Sequence, residues 1–522
     1  MITQNPLVLI LGSLAITYAE APTVKLDSGI FKGTSTQLPG SSKIIHKYLG
    51  LPFAAPPIRF SPPQPPATST AQRNATVLPP ACVQNVSGPG AESFVSNTTL
   101  ESEDCLYLNV FAPAPLTTST AGGKTVMVWF FGGALQFGTG SLPGYDGTSF
   151  ATNQDVILVA PNYRTNVFGF PGTFMPVKER NLGFLDQRMA LDWVQQNIAS
   201  FGGDPKKVTI FGQSAGARSV DFHLLTNNPK NPPFRAVIVQ SGSARITPGQ
   251  VKEAKQPGEN TKTLAVLANK LGCTSTEKLL DCLRKVSASD IKKALPSSPP
   301  FGAVDDEGFT TVVDPEKYRK ERRAANVSLL IGTTADEQKA TLAGQRGMTV
   351  VQYLDKLYGN NTSLKEGVLK AYPVGVGSMY KTDYDAVAAI ATDSSFTCVT
   401  SRESKISAEA GYPTWRYFFN ASFPNTDFPP GSGVYHSSEI PFVFGNLKTP
   451  VSPPSYEELS LSAIMQTTWA DFAKDPEKGP GWAKVEAHGE NHLGQFNSDG
   501  RMRVDSPAFA DRNCAVFGDS IY

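Results

Sequence analysis

The chain reads as an α/β protein with a large, mostly parallel central sheet flanked by helices. Three observations predict this. Apolar, β-rich runs recur at Val126–Phe131, Val156–Ala160, Val208–Phe211, Ala236–Val239, Leu329–Ile331 and Trp415–Phe419. Most lack polar alternation, which suits parallel strands covered on both faces. Helical patterns lie between them, as in Gln187–Ile198, where Met189, Leu191, Trp193, Val194 and Ile198 form one apolar stripe. The composition, 40% hydrophobic with 45 Gly and 41 Pro in 522 residues, supplies a large core and many ordered loops. Ligands of such sheets bind outside the carboxyl ends of the strands.

Lys and Arg number 47 against 46 Asp and Glu, with no long run of one sign, which argues against a nucleic-acid partner. Leu7–Ile16 is a short apolar segment followed by Thr17-Tyr18-Ala19. Residues 1–19 are therefore expected to be a secretory signal peptide and residues 20–522 one domain. No later segment has the roughly 18 apolar residues of a membrane helix, so an exported protein without stable membrane insertion follows. Glycosylation sequons at Asn74, Asn85, Asn97, Asn326, Asn361 and Asn420 fit a secretory pathway. Six cysteines, an even number, suggest disulfides. Sequence neighbours pair Cys82 with Cys105 and Cys273 with Cys282, leaving Cys398 for Cys514, although spacing alone does not choose among the pairings. No C-x-x-C pair or histidine at ligand spacing appears, so no metal is expected. Pro56–Pro66 and Pro296–Phe309 read as ordered surface connections.

The chemistry centres on Phe201–Gly216, FGGDPKKVTIFGQSAG, which puts Ser214 inside Gly212-Gln213-Ser214-Ala215-Gly216 directly after an apolar run. Small residues on both sides allow the tight strand-to-helix turn of a nucleophile elbow. A serine nucleophile needs a base, an acid to orient the base, and donors for an oxyanion. The five histidines are His46, His223, His436, His488 and His492. His46 precedes the serine and His223 lies on the helix after it. The order serine, acid, histidine leaves His436, His488 and His492 as candidate bases.

Several separated motifs then resemble one family. Glu103-Asp104-Cys105-Leu106-Tyr107-Leu108-Asn109-Val110, Asn162-Tyr163-Arg164, Asn181-Leu182-Gly183-Phe184-Leu185-Asp186-Gln187 and the elbow are all similar to blocks of the type-B carboxylesterase/lipase family. Tyr48-Leu49-Gly50-Leu51-Pro52-Phe53-Ala54 resembles its F-x-G-I-P-Y-A segment. This group of α/β-hydrolases includes fungal esterases and lipases, animal carboxylesterases and cholinesterases. The resemblance implies an α/β-hydrolase fold with loop and helical insertions over the active site.

It also implies the roles. Ser214 is the nucleophile, His436 the base and Glu337 the acid, with the neighbouring Asp336 as rival. The usual D-E-G is Asp336-Glu337-Gln338 here. The oxyanion segment is Trp129-Phe130-Phe131-Gly132-Gly133-Ala134, with backbone donors at Gly133, Ala134 and Ala215. An alanine at a positive-φ position would cost about 1–2 kcal/mol. Gln213, Ser241 and Glu439 are expected to support the triad. The two short cysteine pairs match the family's disulfide loops, and a third like Cys398–Cys514 occurs in some members. The implied reaction is ester hydrolysis through an acyl-enzyme, with no cofactor. Gln213 stands where the family commonly has glutamate, which disfavours a choline-like cation. The Cys82–Cys105 loop lacks a long amphipathic flap, which favours small to medium, uncharged esters over lipid droplets. Alternatives are a lipase on long-chain or sterol esters, a secondary-metabolism esterase, or a non-catalytic binding relative. Oligomeric state is left open.

Overall fold

The structure is a computed structural model. It describes residues 21–86, 99–116, 122–244, 259–275, 277–296, 301–427, 430–447, 452–488 and 491–518. The expected signal peptide and the Asn97 sequon lie outside these residues. The central sheet has eleven strands. In chain order they are β1 (Thr34–Gln37), β2 (Ile44–Pro52), β3 (Tyr107–Pro113), β4 (Lys124–Phe130), β5 (Ile157–Pro161) and β6 (Gly203–Gln213). Then come β7 (Ala236–Gln240), β8 (Ser328–Thr334), β9 (Thr414–Asn420), β10 (Leu493–Asn497) and β11 (Met502–Asp505). Their spatial order is β11-β10-β9-β8-β7-β6-β4-β5-β3-β2-β1. From β10 across to β5 every neighbouring pair is parallel, and the remaining pairs at the two edges are antiparallel.

All six apolar runs fall in this parallel centre. Every residue of β7 and β8 is buried, as expected for strands sandwiched between helix layers. Register sets Ile210 between Val128 on β4 and Val237 on β7. Because these strands are parallel, the chain leaves β4, β6, β7, β8 and β9 at the same edge of the sheet.

The helices used below are α1 (Leu182–Asn197), α2 (Ala215–Thr226), α3 (Asp383–Thr392), α4 (Cys398–Glu409), α5 (Ile440–Phe444) and α6 (Tyr456–Lys474). Helix α1 begins five residues before the apolar stripe, and its early turns bury Asp186 and Gln187. These polar side chains are paired, so apolar periodicity alone misses them. Arg164 donates from Nε (2.8 Å) and a terminal nitrogen (2.7 Å) to the Asp186 carboxylate. A smaller hydrophobic cluster, including Leu354, Val368, Val387, Ile390, Cys398 and Val399, packs beside the main core.

All three expected cysteine pairs are disulfides: Cys82–Cys105, Cys273–Cys282 and Cys398–Cys514. The Asn74, Asn326, Asn361 and Asn420 side chains are exposed, while Asn85 is half-buried and donates to the Pro296 carbonyl. The described part of Pro296–Phe309 is no surface connection. Phe301, Val304 and Asp306 are buried there. The Asp306 carboxylate accepts the Thr310 and Thr311 N–H groups at 2.9 Å and the Asn181 amide at 3.1 Å. Its polar partners are Asn181, just before α1, and the two threonines just past the loop. Among the described residues no helix is long and apolar enough to cross a membrane.

Candidate active site

Ser214 sits between the last residue of β6 and the first of α2 with φ 57° and ψ −120°. A non-glycine backbone held there stores on the order of 1–3 kcal/mol. Its surroundings impose it. The Ser214 N–H donates to the Gln240 carbonyl (2.9 Å), and the Ser214 carbonyl accepts the Arg218 N–H (2.9 Å). A Cβ on Gly216 would lie 1.9 Å from the Phe130 carbonyl oxygen, and one on Gly212 2.6 Å from the same atom. Helix α2 therefore reaches the sheet only because these two residues have no side chain. The elbow leaves Ser214 partly exposed at the carboxyl edge of the sheet.

His436 lies in the loop that follows β9. Its Nδ1 is 2.5 Å from Glu337 Oε2, and Glu337 is fully buried just beyond β8. The other carboxylate oxygen of Glu337 accepts the Thr334 N–H at 2.8 Å, which locks the acid to its own strand. Asp336, the rival, faces elsewhere. Its carboxylate accepts the Val434 N–H at 2.9 Å, and its own N–H donates to the Val434 carbonyl at 2.9 Å. Adjacent acids thus hold the imidazole and the loop that carries it. Asp427 adds acceptors for Gly431 (2.9 Å) and Gly433 (2.8 Å). Gln338 does not adopt a left-handed backbone, so replacing the usual glycine strains nothing; its N–H donates to the Thr392 hydroxyl at 3.1 Å.

Burial pulls the His436 pKa down, but the Glu337 charge, the hydrogen bond to it and the Glu439 charge outweigh burial and hold it above the ordinary 6.5. With its Nδ1 proton directed at Glu337, Nε2 is an acceptor. Nε2 lies 3.2 Å from the Gln213 carboxamide nitrogen. The bond on Nε2 is thus to the Gln213 amide. The cause is chemical: a glutamine can donate to this lone pair, whereas an ionised glutamate cannot.

After β4 the chain turns across the front of the elbow, with φ 108° at Gly133, 54° at Ala134 and 61° at Leu135. Ala134 does occupy a left-handed position, at a cost of about 1–2 kcal/mol, and its side chain is exposed. The loop is strapped from outside. Tyr163 stacks on Phe131 at 4.1 Å and donates its hydroxyl to the Phe131 carbonyl at 2.6 Å. The Asn166 N–H donates to the Leu135 carbonyl (2.7 Å), and its side-chain amide donates to the Gln136 carbonyl (3.2 Å). Asn162 Oδ1 accepts the Gly140 N–H at 2.9 Å. The Asn162–Arg164 motif is thus a support of this loop, and the Arg164–Asp186 pair ties it to the Asn181–Gln187 motif. Sequence reading left that role unassigned; polar residues clustered just past a buried strand were the available signal.

Gln213, Ser241 and Glu439 are all fully buried here. Gln240 donates to Glu439 Oε1 at 3.0 Å and accepts the Trp469 indole N–H at 3.0 Å. Burial first, then the Glu337 charge, push the Glu439 carboxyl up to about 7. Ser241 takes a left-handed φ of 53° while its N–H donates to the Gly332 carbonyl at 2.9 Å, joining β7 to β8 beneath the elbow. The other histidines are elsewhere. His223 is a core residue bonded to Gln187 at 2.9 Å, and burial together with the Arg188 charge pushes it down to about 3. His46 pairs with Ser35 near the sheet edge, and His488 and His492 precede β10.

A serine on a strand–helix elbow, an acid after β8 and a histidine after β9 define an α/β-hydrolase. The chain belongs to the carboxylesterase family, whose model matches residues 20–507. It is 35% identical to mouse cholinesterase, over 91% of this chain and 83% of that protein. It is also 32% identical to mouse neuroligin-3 and 31% identical to human neuroligin-3, over 90% of this chain and 64% of each relative.

Proposed function

We propose that this protein is a serine carboxylic ester hydrolase acting through an acyl-enzyme on small to medium, uncharged esters. The observation that carries the reading is the imidazole of His436, anchored by the buried Glu337 on one side and facing the elbow, at Gln213, on the other. As an ester enters, the imidazole exchanges the Gln213 amide for the Ser214 hydroxyl and takes its proton. Ser214 attacks the carbonyl, and the backbone N–H groups of Gly133, Ala134 and Ala215 stabilise the oxyanion. His436 then protonates the leaving alcohol. Water, deprotonated by the same imidazole, releases the acid and restores Ser214.

The uncharged Gln213 beside the base supports neutral substrates. The disulfides and exposed sequons support an exported protein. Ser214→Ala is expected to lower kcat on a p-nitrophenyl ester by at least about 10⁴. Unchanged turnover would remove Ser214 from the mechanism. A non-catalytic binding role is the second reading, favoured by the Gln213–His436 bond and the similarity to neuroligin-3. An organophosphate fluoride separates the two: a mass shift on the Ser214 peptide supports the esterase, and none supports the binding protein.

A further inference from the structure

The loop between the helix Thr362–Ala371 and α3 carries an apolar tip in open solvent. Val376 is fully exposed, Met379 is 61% exposed and Val374 41% exposed. None of the three belongs to the hydrophobic cluster at the foot of the loop, which takes Tyr372 and Tyr380. Gly375 and Gly377 flank Val376 at φ 129° and 84°, and a Cβ on either would meet nothing within 4 Å. The tip stands clear of the protein. A single exposed valine is ordinary on a protein surface, but three exposed apolar side chains on one short tip form a patch that marks a contact.

The tip is held in shape by its own backbone and by its foot. Gly375 donates its N–H to the Tyr380 carbonyl at 3.0 Å and accepts the Ser378 N–H at 3.1 Å. The Ser378 hydroxyl donates to the Pro373 carbonyl and accepts the Tyr380 N–H at 3.2 Å, and the Lys381 ammonium donates to the Ser378 carbonyl at 2.7 Å. Backbone groups paired in this way need no water, which lowers the cost of moving them into a less polar medium. At the foot, the Tyr372 and Tyr380 rings lie 5.4 Å apart. The Tyr372 hydroxyl donates to Asp393 at 2.6 Å, and the Tyr380 hydroxyl accepts the Asn513 amide at 3.1 Å.

Charge tells what the tip meets. From Gly367 to Lys381 the chain carries Lys370 and Lys381 and no Asp or Glu, and both lysines are exposed. Lys381 uses one donor on the Ser378 carbonyl and keeps two for an anion. The flanking acids, Glu366 and Asp383, stand outside this span, and Asp383 accepts the Val350 N–H at 2.8 Å. We propose that Val374–Lys381 is a peripheral docking loop for an anionic lipid bilayer, with Val376 and Met379 entering the headgroup region and Lys370 and Lys381 against lipid phosphates. Apolar burial or a few cations alone hold a protein at such a surface only weakly, whereas the two together hold it stably. The proposal concerns where the protein sits and does not depend on the esterase reading.

The test is co-sedimentation of the purified full chain with vesicles of phosphatidylcholine alone and of phosphatidylcholine mixed with phosphatidylserine. The wild type is expected to partition at least about 10-fold better onto the mixed vesicles, and to lose that preference as salt rises. The double variant Val376→Ser, Met379→Ser should lower partitioning onto the mixed vesicles by about 10-fold or more, and Lys370→Gln by about 3–10-fold. No binding to the mixed vesicles, equal binding to both kinds, or a double variant that binds as well as the wild type overturns the proposal. A dimer in sedimentation velocity that the double variant abolishes, without vesicle binding, overturns it in favour of a second copy of the chain on the tip. If the double variant loses its folded circular-dichroism spectrum, Val376→Ser alone decides, with an expected loss of about 5-fold or more.

Discussion

The two loops that carry Ser214 and His436 are built on opposite principles. The elbow at Gly212–Gly216 is shaped by exclusion, since Phe130 and α2 leave no room for a Cβ at either glycine. The Gly431–Ser438 loop is shaped by acceptance, because the carboxylates of Asp336, Glu337 and Asp427 take its N–H groups. The first needs only small residues side by side in the chain. The second draws its partners from far away, as with Asp336 and Val434, 98 residues apart. Breaking the elbow should therefore cost stability, whereas breaking the histidine loop should cost activity.

Among substitutions that leave Ser214 in place, the largest effect is expected at the acid. Glu337→Gln keeps the shape but removes the charge and can present the wrong group to Nδ1, so kcat should fall by about 10³–10⁴. The pH profile sharpens this. Catalysis needs neutral imidazole, and Glu337 holds the protonated form, so the acid limb of wild-type kcat/KM should lie above 6.5. In Glu337→Gln the imidazole gives up its proton more readily, and the limb should move to lower pH. A limb that stays in place would show that another group governs it.

Gly216→Ala tests the elbow. Its Cβ would meet a backbone oxygen that cannot rotate away, so denaturant unfolding should show a loss of about 3 kcal/mol or more. A change below about 1 kcal/mol would mean that α2 can slide off the sheet.

Asp336→Ala separates the rival acid from the acid itself. The variant removes an acceptor from the histidine loop but leaves Glu337 against Nδ1. A displacement of the imidazole by about 1 Å costs on the order of 10²-fold in rate, so kcat should fall by about 10–100-fold, far less than in Glu337→Gln. A larger loss in Asp336→Ala than in Glu337→Gln would reverse the two roles.

The same contrast explains what could be read from the residues. The parallel strands were legible because both faces are buried, which leaves uninterrupted apolar runs, and the elbow because its glycines flank the serine. The choice of His436 over His488 and His492 needed resemblance to a family, since its partners are remote in sequence. The Gln213 bond to Nε2 and the support of the oxyanion loop by Tyr163 and Asn166 were hidden for one reason. Each is a polar residue whose partner comes from another segment, and local periodicity records apolar burial only.

The turn at Gly133–Leu135 combines both principles, and Ala134→Gly should give the smallest effect. Glycine relieves about 1–2 kcal/mol of left-handed strain. It also returns about 0.5–1 kcal/mol of chain freedom to the unfolded state, so the melting temperature should rise by no more than about 2 °C. Activity should respond in the other direction. Alanine restricts the backbone that presents two of the proposed oxyanion donors, and a looser turn gives up part of that preorganisation, so kcat should fall about 2–10-fold with KM little changed. Tyr163 and Asn166 would still strap the loop, which keeps the loss below the ~10²-fold of a missing donor. A kcat equal to or above wild type would show that these side-chain straps alone hold the donors, and that the strain at Ala134 serves no catalytic purpose.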